Sequence, residues 1–343
     1  MDERGKMLIL RWCSLILVGT GGQLFLTRRW SRLLRGFFRI WFFCSLLAIG
    51  EHIVSGWRRK GPSFHLLINV SFLVGAFASH AVLFVKQSKL ETFISHMADQ
   101  VHLSDARPLV RKLSVLLTFL LVQNAVYIVY QVLQVQKSES QRQLIDSVFA
   151  VSFGPTCFWI MSTCVFYWTI LNIFLLFHER QLAMLCDPIT GKLVDHAHVC
   201  NVVNLVMDSA NTFDQLLSPL PFVWFAHGMV SSSGLIYGLI ENPSDYINLF
   251  FTLHDYVPQI LVAISAARIV GKVKEMAATA GRLVRSSKSI SQVDKILLLY
   301  ELDTLRALEL TGMSYFSLDR SFVLSYVGSV MTFAALMAGF TKT

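Results

Sequence analysis

Apolar runs of roughly twenty residues recur along the chain, separated by shorter stretches that carry most of the charge. About 20 consecutive, mostly apolar residues suffice for a helix to cross the hydrocarbon of a bilayer. Seven segments meet that requirement, at 36–55, 65–86, 113–135, 145–177, 218–240, 247–268 and 320–340. The fourth is long enough to continue beyond the bilayer as one helix. Residues 7–26 are also apolar, but Arg11 lies inside the run and Gly19, Thr20, Gly21 and Gly22 break its second half. A cleaved leader needs an unbroken apolar core. The stretch therefore reads as a lead-in to the first span, with an eighth span as the lesser alternative.

Two of the connections have helical patterning of their own. Val202, Leu205, Val206, Phe213, Leu216 and Leu217 recur at helical spacing before the fifth span. Val293, Ile296, Leu297, Tyr300 and Leu308 do so before the seventh, among Asp294, Lys295, Glu301, Asp303 and Arg306. An apolar stripe on a helix must be buried against something. Helices that lie flat on a membrane are usually basic. The acidic residues here favour packing of these helices on one another or on neighbouring subunits, as a cytoplasmic stem.

Composition narrows the class. Of the 343 residues 54% are hydrophobic and 15% charged, where soluble domains carry about 25% charged residues. A solvated enzyme is excluded, and 26 Phe and 7 Trp against 8 Pro exclude a disordered chain. The net charge of +8 would suggest nucleic acid in a soluble protein, but no zinc-finger, RRM or helix-turn-helix pattern supports that. Its distribution fits a membrane better. Of 30 Lys and Arg, 24 fall on one side of the seven spans and 6 on the other. Basic loops stay cytoplasmic, which places the N-terminus inside and the C-terminus outside. Seven-helix G-protein-coupled receptors have the opposite orientation. The Asn242-Pro243-Ser244-Asp245-Tyr246 and Asp319-Arg320 sequences resemble their motifs but stand at the wrong places. The sequon Asn69-Val70-Ser71 falls inside the second span. None of the six cysteines forms a CxxC pair, so neither a disulfide framework nor a metal site is expected. No nucleophile elbow, HExxH, Walker loop or GxGxxG follows a strand; neither an enzyme nor a cofactor is expected.

Polar residues inside the spans are the candidates for function, because they are expensive there. His80, His227, His254 and Asp255 are ionisable. Gln123, Asn124, Tyr127, Tyr130, Gln131, Trp159, Ser231, Ser232, Ser233 and Tyr237 add polar and aromatic groups near the middle or in the outer halves of their spans. A small-molecule pocket needs an apolar concavity with a few placed polar groups. From this set Gln123, Asn124, Tyr127, Trp159, Ser232, Tyr237, His254 and Asp255 are the candidate ligand contacts; the alternative is a hydrogen-bond network that only holds the bundle. In the seventh span Ser321, Ser325, Ser329 and Thr332 follow at steps of 4, 4 and 3, and the stripe continues to Leu336 and Gly339 or Phe340. A small hydroxyl stripe ending in bulky apolar residues suits a pore with a hydrophobic gate. Close packing between helices uses the same residue types and is their commoner role.

The C-terminal stretch from Gly312 to Phe340 resembles the last segment of arthropod gustatory receptors. That family carries Thr-Tyr, five apolar residues, then Gln-Phe. Here the order is Thr332-Phe333, Ala334 to Ala338, then Gly339-Phe340, after the lead-in Leu318-Asp319-Arg320-Ser321 and Gly328. Gly339 stands where the family has Gln. The resemblance implies a seven-transmembrane all-α protein of the plasma membrane and a non-selective cation channel opened by a small-molecule tastant. It also implies four subunits around one pore, as a homotetramer or a heterotetramer with related receptors. The pore would be lined by Ser325, Ser329, Thr332 and Leu336, with Gly339 and Phe340 at the gate. The implied organisation is a cytoplasmic lead-in at 1–35, a ligand-binding bundle of six spans at 36–268, a cytoplasmic anchor at 269–319 and a pore helix at 320–343. Two other readings stay open: a seven-helix receptor that signals through intracellular partners without conducting, and a transporter. Transporters often show duplicated halves, and no internal repeat is evident.

Overall fold

The computed structural model describes residues 30–60, 64–99, 103–137, 143–183, 196–241, 246–286 and 290–340. Among them the chain is all-α apart from one small hairpin. The helices are α1 (Trp30–Lys60), α2 (Phe64–Val85), α3 (Gln87–Ala98), α4 (Leu103–Lys137), α5 (Gln143–Ala183), α6 (His196–Leu217), α7 (Pro219–Glu241), α8 (Tyr246–Ser286), α9 (Gln292–Thr304) and α10 (Arg320–Phe340). The hairpin pairs β1 (Thr311–Gly312) with β2 (Phe316–Ser317). Each of the seven apolar segments lies within one helix, to within a residue at either end: α1, α2, α4, α5, α7, α8 and α10. Three described stretches are long and apolar enough to cross a membrane on length and composition alone, Leu67–Val85, Arg107–Tyr130 and Ile160–Gln181; Arg320–Leu336 is a shorter apolar one.

Helix α5 is the axis of the fold. Its 41 residues extend about 60 Å at helical rise, the continuous projection expected from its sequence. It packs against α1, α2, α3, α4, α6 and α8. A helix that is apolar on every side belongs in an interior, and Ile160–Gln181 is almost wholly buried. Tyr167 meets Phe213 of α6 and Trp224 of α7 edge-on, each at 5.4 Å, while Phe174 stacks on Phe213 at 4.9 Å. Two threonine hydroxyls in this core are satisfied locally, Thr163 donating to the Ile160 carbonyl and Thr169 to that of Val165.

Only Ser218 separates α6 from α7. Pro219 takes the first helical position, where a missing N–H costs nothing, and α7 departs from there. The two amphipathic helices dispose of their stripes differently. On α6, Val202, Val206, Phe213, Leu216 and Leu217 are buried within the chain. On α9, Leu298 and Leu302 face inward, against α8 and α6. Val293, Ile296 and Tyr300 stay 68%, 67% and 70% exposed. These three and Leu297 follow an i, i+3, i+4, i+7 spacing and form one uncovered apolar stripe.

Between α9 and α10 the chain makes a hairpin that the sequence pattern does not announce. Met313 and Ser314 have φ of 51° and 62°, and the Tyr315 N–H donates to the Gly312 carbonyl at 3.0 Å. Two successive left-handed residues define a type I′ turn, normally an Asn-Gly position. Asp214 of α6 holds it: Thr311 donates its N–H to Oδ1 at 2.7 Å and its hydroxyl to Oδ2 at 2.8 Å. A Cβ at Gly312 would collide with the Phe316 ring. We expect Asp214→Ala to leave both Thr311 donors unpaired and to destabilise the protein by about 2 kcal/mol, the cost of losing hydrogen bonds to a charged acceptor. Thermal unfolding in detergent would read this as a lower midpoint. An unchanged midpoint would show that other contacts hold the hairpin.

Candidate functional site

Helix α10 starts on a well-built cap. The Asp319 carboxylate accepts the Phe322 N–H and the Ser321 hydroxyl, both at 2.7 Å. These bonds hold its carboxyl below the usual range, the Phe322 N–H contributing most. One face of the helix then packs on α7 and α8 through Phe322, Tyr326, Val330 and Ala334. At its base Phe322 stacks on Phe316 of the hairpin at 4.4 Å and meets Phe225 of α7 edge-on at 4.8 Å.

The other faces of α10 are uncovered. Ser321, Ser325, Ser329, Thr332, Leu336 and Gly339 are all exposed. Within this chain, the hydroxyl stripe does not serve as a close contact between helices. Thr332 donates to the Gly328 carbonyl of its own helix at 2.8 Å. Exposed alongside the stripe are Leu324 and Met331. The side chain of Phe340 lies outside the described residues.

A buried polar seam joins α10 to the bundle. The Tyr326 hydroxyl donates to Oε1 of Gln259 on α8 at 2.9 Å. Gln259 is almost fully buried, and its Nε2 has no hydrogen-bond partner among the described residues. Gly228 of α7 faces this pair so closely that an added Cβ would overlap the Gln259 amide and the Tyr326 hydroxyl. One turn on, Ser233 donates to the Met229 carbonyl at 2.6 Å and lies 3.4 Å from that of Val330 on α10. His227 shares a hydrogen bond with Ser71 of α2 at 3.1 Å and meets the Phe72 ring edge-on. Trp224 donates to Ser79 of α2 at 3.0 Å. The seam therefore runs from α2 through α7 and α8 to α10.

Of the expected ligand contacts, Gln123 and Ser232 are buried, and Gln123 Oε1 and Ser232 Oγ have no hydrogen-bond partner among the described residues. Each offers a polar atom in an apolar interior. Asn124 and Tyr237 are half-buried. The side chains of Tyr127, Gln131, Trp159, His254 and Asp255 lie outside the described residues. Ser231 turns its hydroxyl to the Gly228 carbonyl at 3.4 Å, and His227 is taken up by Ser71, as a structural network would have it. Sequence reasoning missed Gln259 and Tyr326. The signal available was an amide directly after Pro258 inside an apolar run, since an unpaired amide there would be costly. His178 was also missed. It is wedged between Phe174 and Phe177, and neither ring nitrogen has a hydrogen-bond partner among the described residues.

No family model matches the sequence, and no curated protein matches it. Solved structures do match the fold. The insect olfactory receptor OR5 from Machilis hrabei superposes with a TM-score of 0.69 at 12% identity, covering 95% of this chain and 96% of that one. The same receptor in complex with eugenol gives 0.70 at 12% identity, covering 96% and 97%. At that identity the likeness speaks for the fold, and it holds over nearly the whole length of both chains: this protein is folded as an insect olfactory receptor is.

Proposed function

We propose that the chain is a subunit of a ligand-gated cation channel of the gustatory type, opened by a small-molecule tastant and assembled as a tetramer in the plasma membrane. The observation that carries this reading is the state of α10. It is an apolar helix at the edge of its own bundle, attached by one face, with its Ser and Thr stripe turned outward and uncovered by the rest of the chain. One helix cannot enclose a pore, whereas a ring of such helices can, with the stripe toward the axis. The exposed stripe of α9 supplies a second surface that wants a copy of itself. The likeness to a receptor solved with eugenol supports a small, largely apolar ligand, bound within the bundle where Gln123 and Ser232 hold unused hydrogen-bonding atoms. In this reading all seven long helices cross the bilayer, with the N-terminus and α9 on the cytoplasmic side.

Recording currents from cells that express the chain alone, against a panel of sugars and bitter compounds, tests the activity directly. Phe340→Ala tests the gate. If a ring of Phe340 side chains closes the pore by dewetting, the substitution should raise ligand-independent current severalfold at equal surface expression. Gly339→Gln would place hydrogen-bonding groups at the same constriction and change ion selectivity. An unchanged leak in well-expressed Phe340→Ala would remove the gate, and with it the pore role of the stripe.

A further inference from the structure

Helix α4 carries three exposed cations, Arg107, Arg111 and Lys112. Among the described residues, none of them forms an ion pair. Arg107, Arg111, Val115 and Phe119 are spaced by four and form one stripe along the helix; Pro108, Lys112 and Leu116 form the adjoining one. Together they line a shallow, open groove of about 980 Å³ along this one helix. Its character changes sharply along the helix. The cations occupy the first ~8 Å of rise, and over the next two turns the side chains that line it are the apolar Val115, Leu116 and Phe119. Val115 and Phe119 are 66% and 52% exposed, so the apolar half is uncovered. The membrane-length stretch Arg107–Tyr130 begins at the first of these cations, and little of it is buried in the protein.

The groove is thus cationic at one end and apolar at the other, with the change of character at the start of a lipid-length helix. We infer that it binds an anionic glycerophospholipid of the cytoplasmic leaflet. The phosphate and a headgroup carboxylate would lie on Arg107, Arg111 and Lys112, and an acyl chain would lie along Val115 and Phe119. A guanidinium binds phosphate oxygens in pairs through a fixed fork, and basic residues at the inner end of a span attract anionic lipid. A choline headgroup brings its own cation into the same cluster and is disfavoured. A free phosphate ion would satisfy the charged end only and leave Val115 and Phe119 uncovered. The inference rests on the membrane placement proposed above, not on conduction.

Native mass spectrometry of the full chain, released from nanodiscs of phosphatidylserine and phosphatidylcholine in equal parts, tests it. The wild type should retain phosphatidylserine in preference to phosphatidylcholine. Arg107→Gln/Arg111→Gln/Lys112→Gln should lower that retention by about tenfold or more. Lys272→Gln/Arg282→Gln/Arg285→Gln removes the same charge from α8 and should not. Phe119→Ser should weaken retention while the cations are intact, and millimolar inorganic phosphate should fail to displace the lipid. Equal retention of both lipids, or full retention by the α4 variant, overturns the inference. Displacement by inorganic phosphate overturns it in favour of a soluble anion. Should the triple variant not be isolated folded, Arg111→Gln alone should give a smaller loss in the same direction, and no loss counts against the site. Because the readout is bound lipid, a protein that retains phosphatidylserine yet passes no current would fail only the channel reading.

Discussion

If the chain assembles as the channel proposed above, substituting Ile296 and Tyr300 together by glutamate should leave it as single chains in detergent and abolish ligand-evoked current. Both side chains are largely exposed in the isolated subunit. An exposed substitution of this kind costs the subunit within about 0.5 kcal/mol, so folding and synthesis should be unaffected. In an assembly held by the α9 stripe, however, two carboxylates per subunit would be carried into an apolar contact. Each unpaired buried charge costs several kcal/mol, and symmetry repeats the penalty at every interface. Light scattering on the purified protein would show one chain per particle, where the wild type should show four. A tetramer that survives the double substitution would place the stripe elsewhere, on the bilayer surface or on another protein, and would leave α10 alone to hold the ring together.

The second large effect is expected from a single methyl group. In Gly228→Ala the new Cβ overlaps the Gln259 amide and the Tyr326 hydroxyl. Both are the ends of side chains, so they can turn aside and the fold can persist. Their mutual hydrogen bond cannot. Leaving a buried donor and acceptor unmatched costs about 1–3 kcal/mol, applied where α7, α8 and α10 meet. If the contact is made in only one gating state, a change of about 1.4 kcal/mol moves the balance of states tenfold. Basal current or half-maximal ligand concentration should therefore shift by about that factor or more. Tyr326→Phe removes the hydroxyl with no steric insult and should shift the same quantity in the same direction. The double variant should fall short of the sum, as expected for groups that act through one contact. Wild-type behaviour in both single variants, at equal surface expression, would mean that the bond is kept in every state.

The sequence showed the helices well and their relations poorly, for a physical reason. A long apolar run declares itself through twenty consecutive residues, so each of the seven falls inside one helix to within a residue, while the helices themselves run on well past several of them. The stripe on α6 was equally legible because its spacing is local. What the stripe packs on was not: the stripes on α6 and α9 look alike in sequence, yet the chain covers one and leaves the other bare. Ser71 and His227 are 156 residues apart, and Tyr326 and Gln259 are 67 apart. A single sequence holds no term that pairs them. The hairpin at Thr311–Ser317 was hidden for a different reason. Its turn carries Met313 and Ser314 where Gly or Asn is usual. The conformation is imposed from outside, by Asp214 and by the packing of Phe316, so local propensity pointed elsewhere. The uncovered face of α10 was legible as a stripe of hydroxyls. Gln259, the residue that ties that helix to the bundle, gave only the faint signal of one amide among apolar neighbours.

The clamped hairpin has a mechanical consequence. The last helix does not hang from a slack connection. Thr311 is bound to Asp214, Leu318 donates to the Leu310 carbonyl at 2.7 Å, and Asp319 closes the first turn. The base of α10 is a fulcrum, and the 21 residues beyond it form a lever roughly 30 Å long. A tilt of about 5° about such a base moves the free end by about 2.5 Å, given that length, while the first turn hardly stirs. Displacement is greatest at Leu336 and Gly339 and least beside the hairpin, so a small displacement of the shaft near Tyr326 becomes a movement several times larger at the tip.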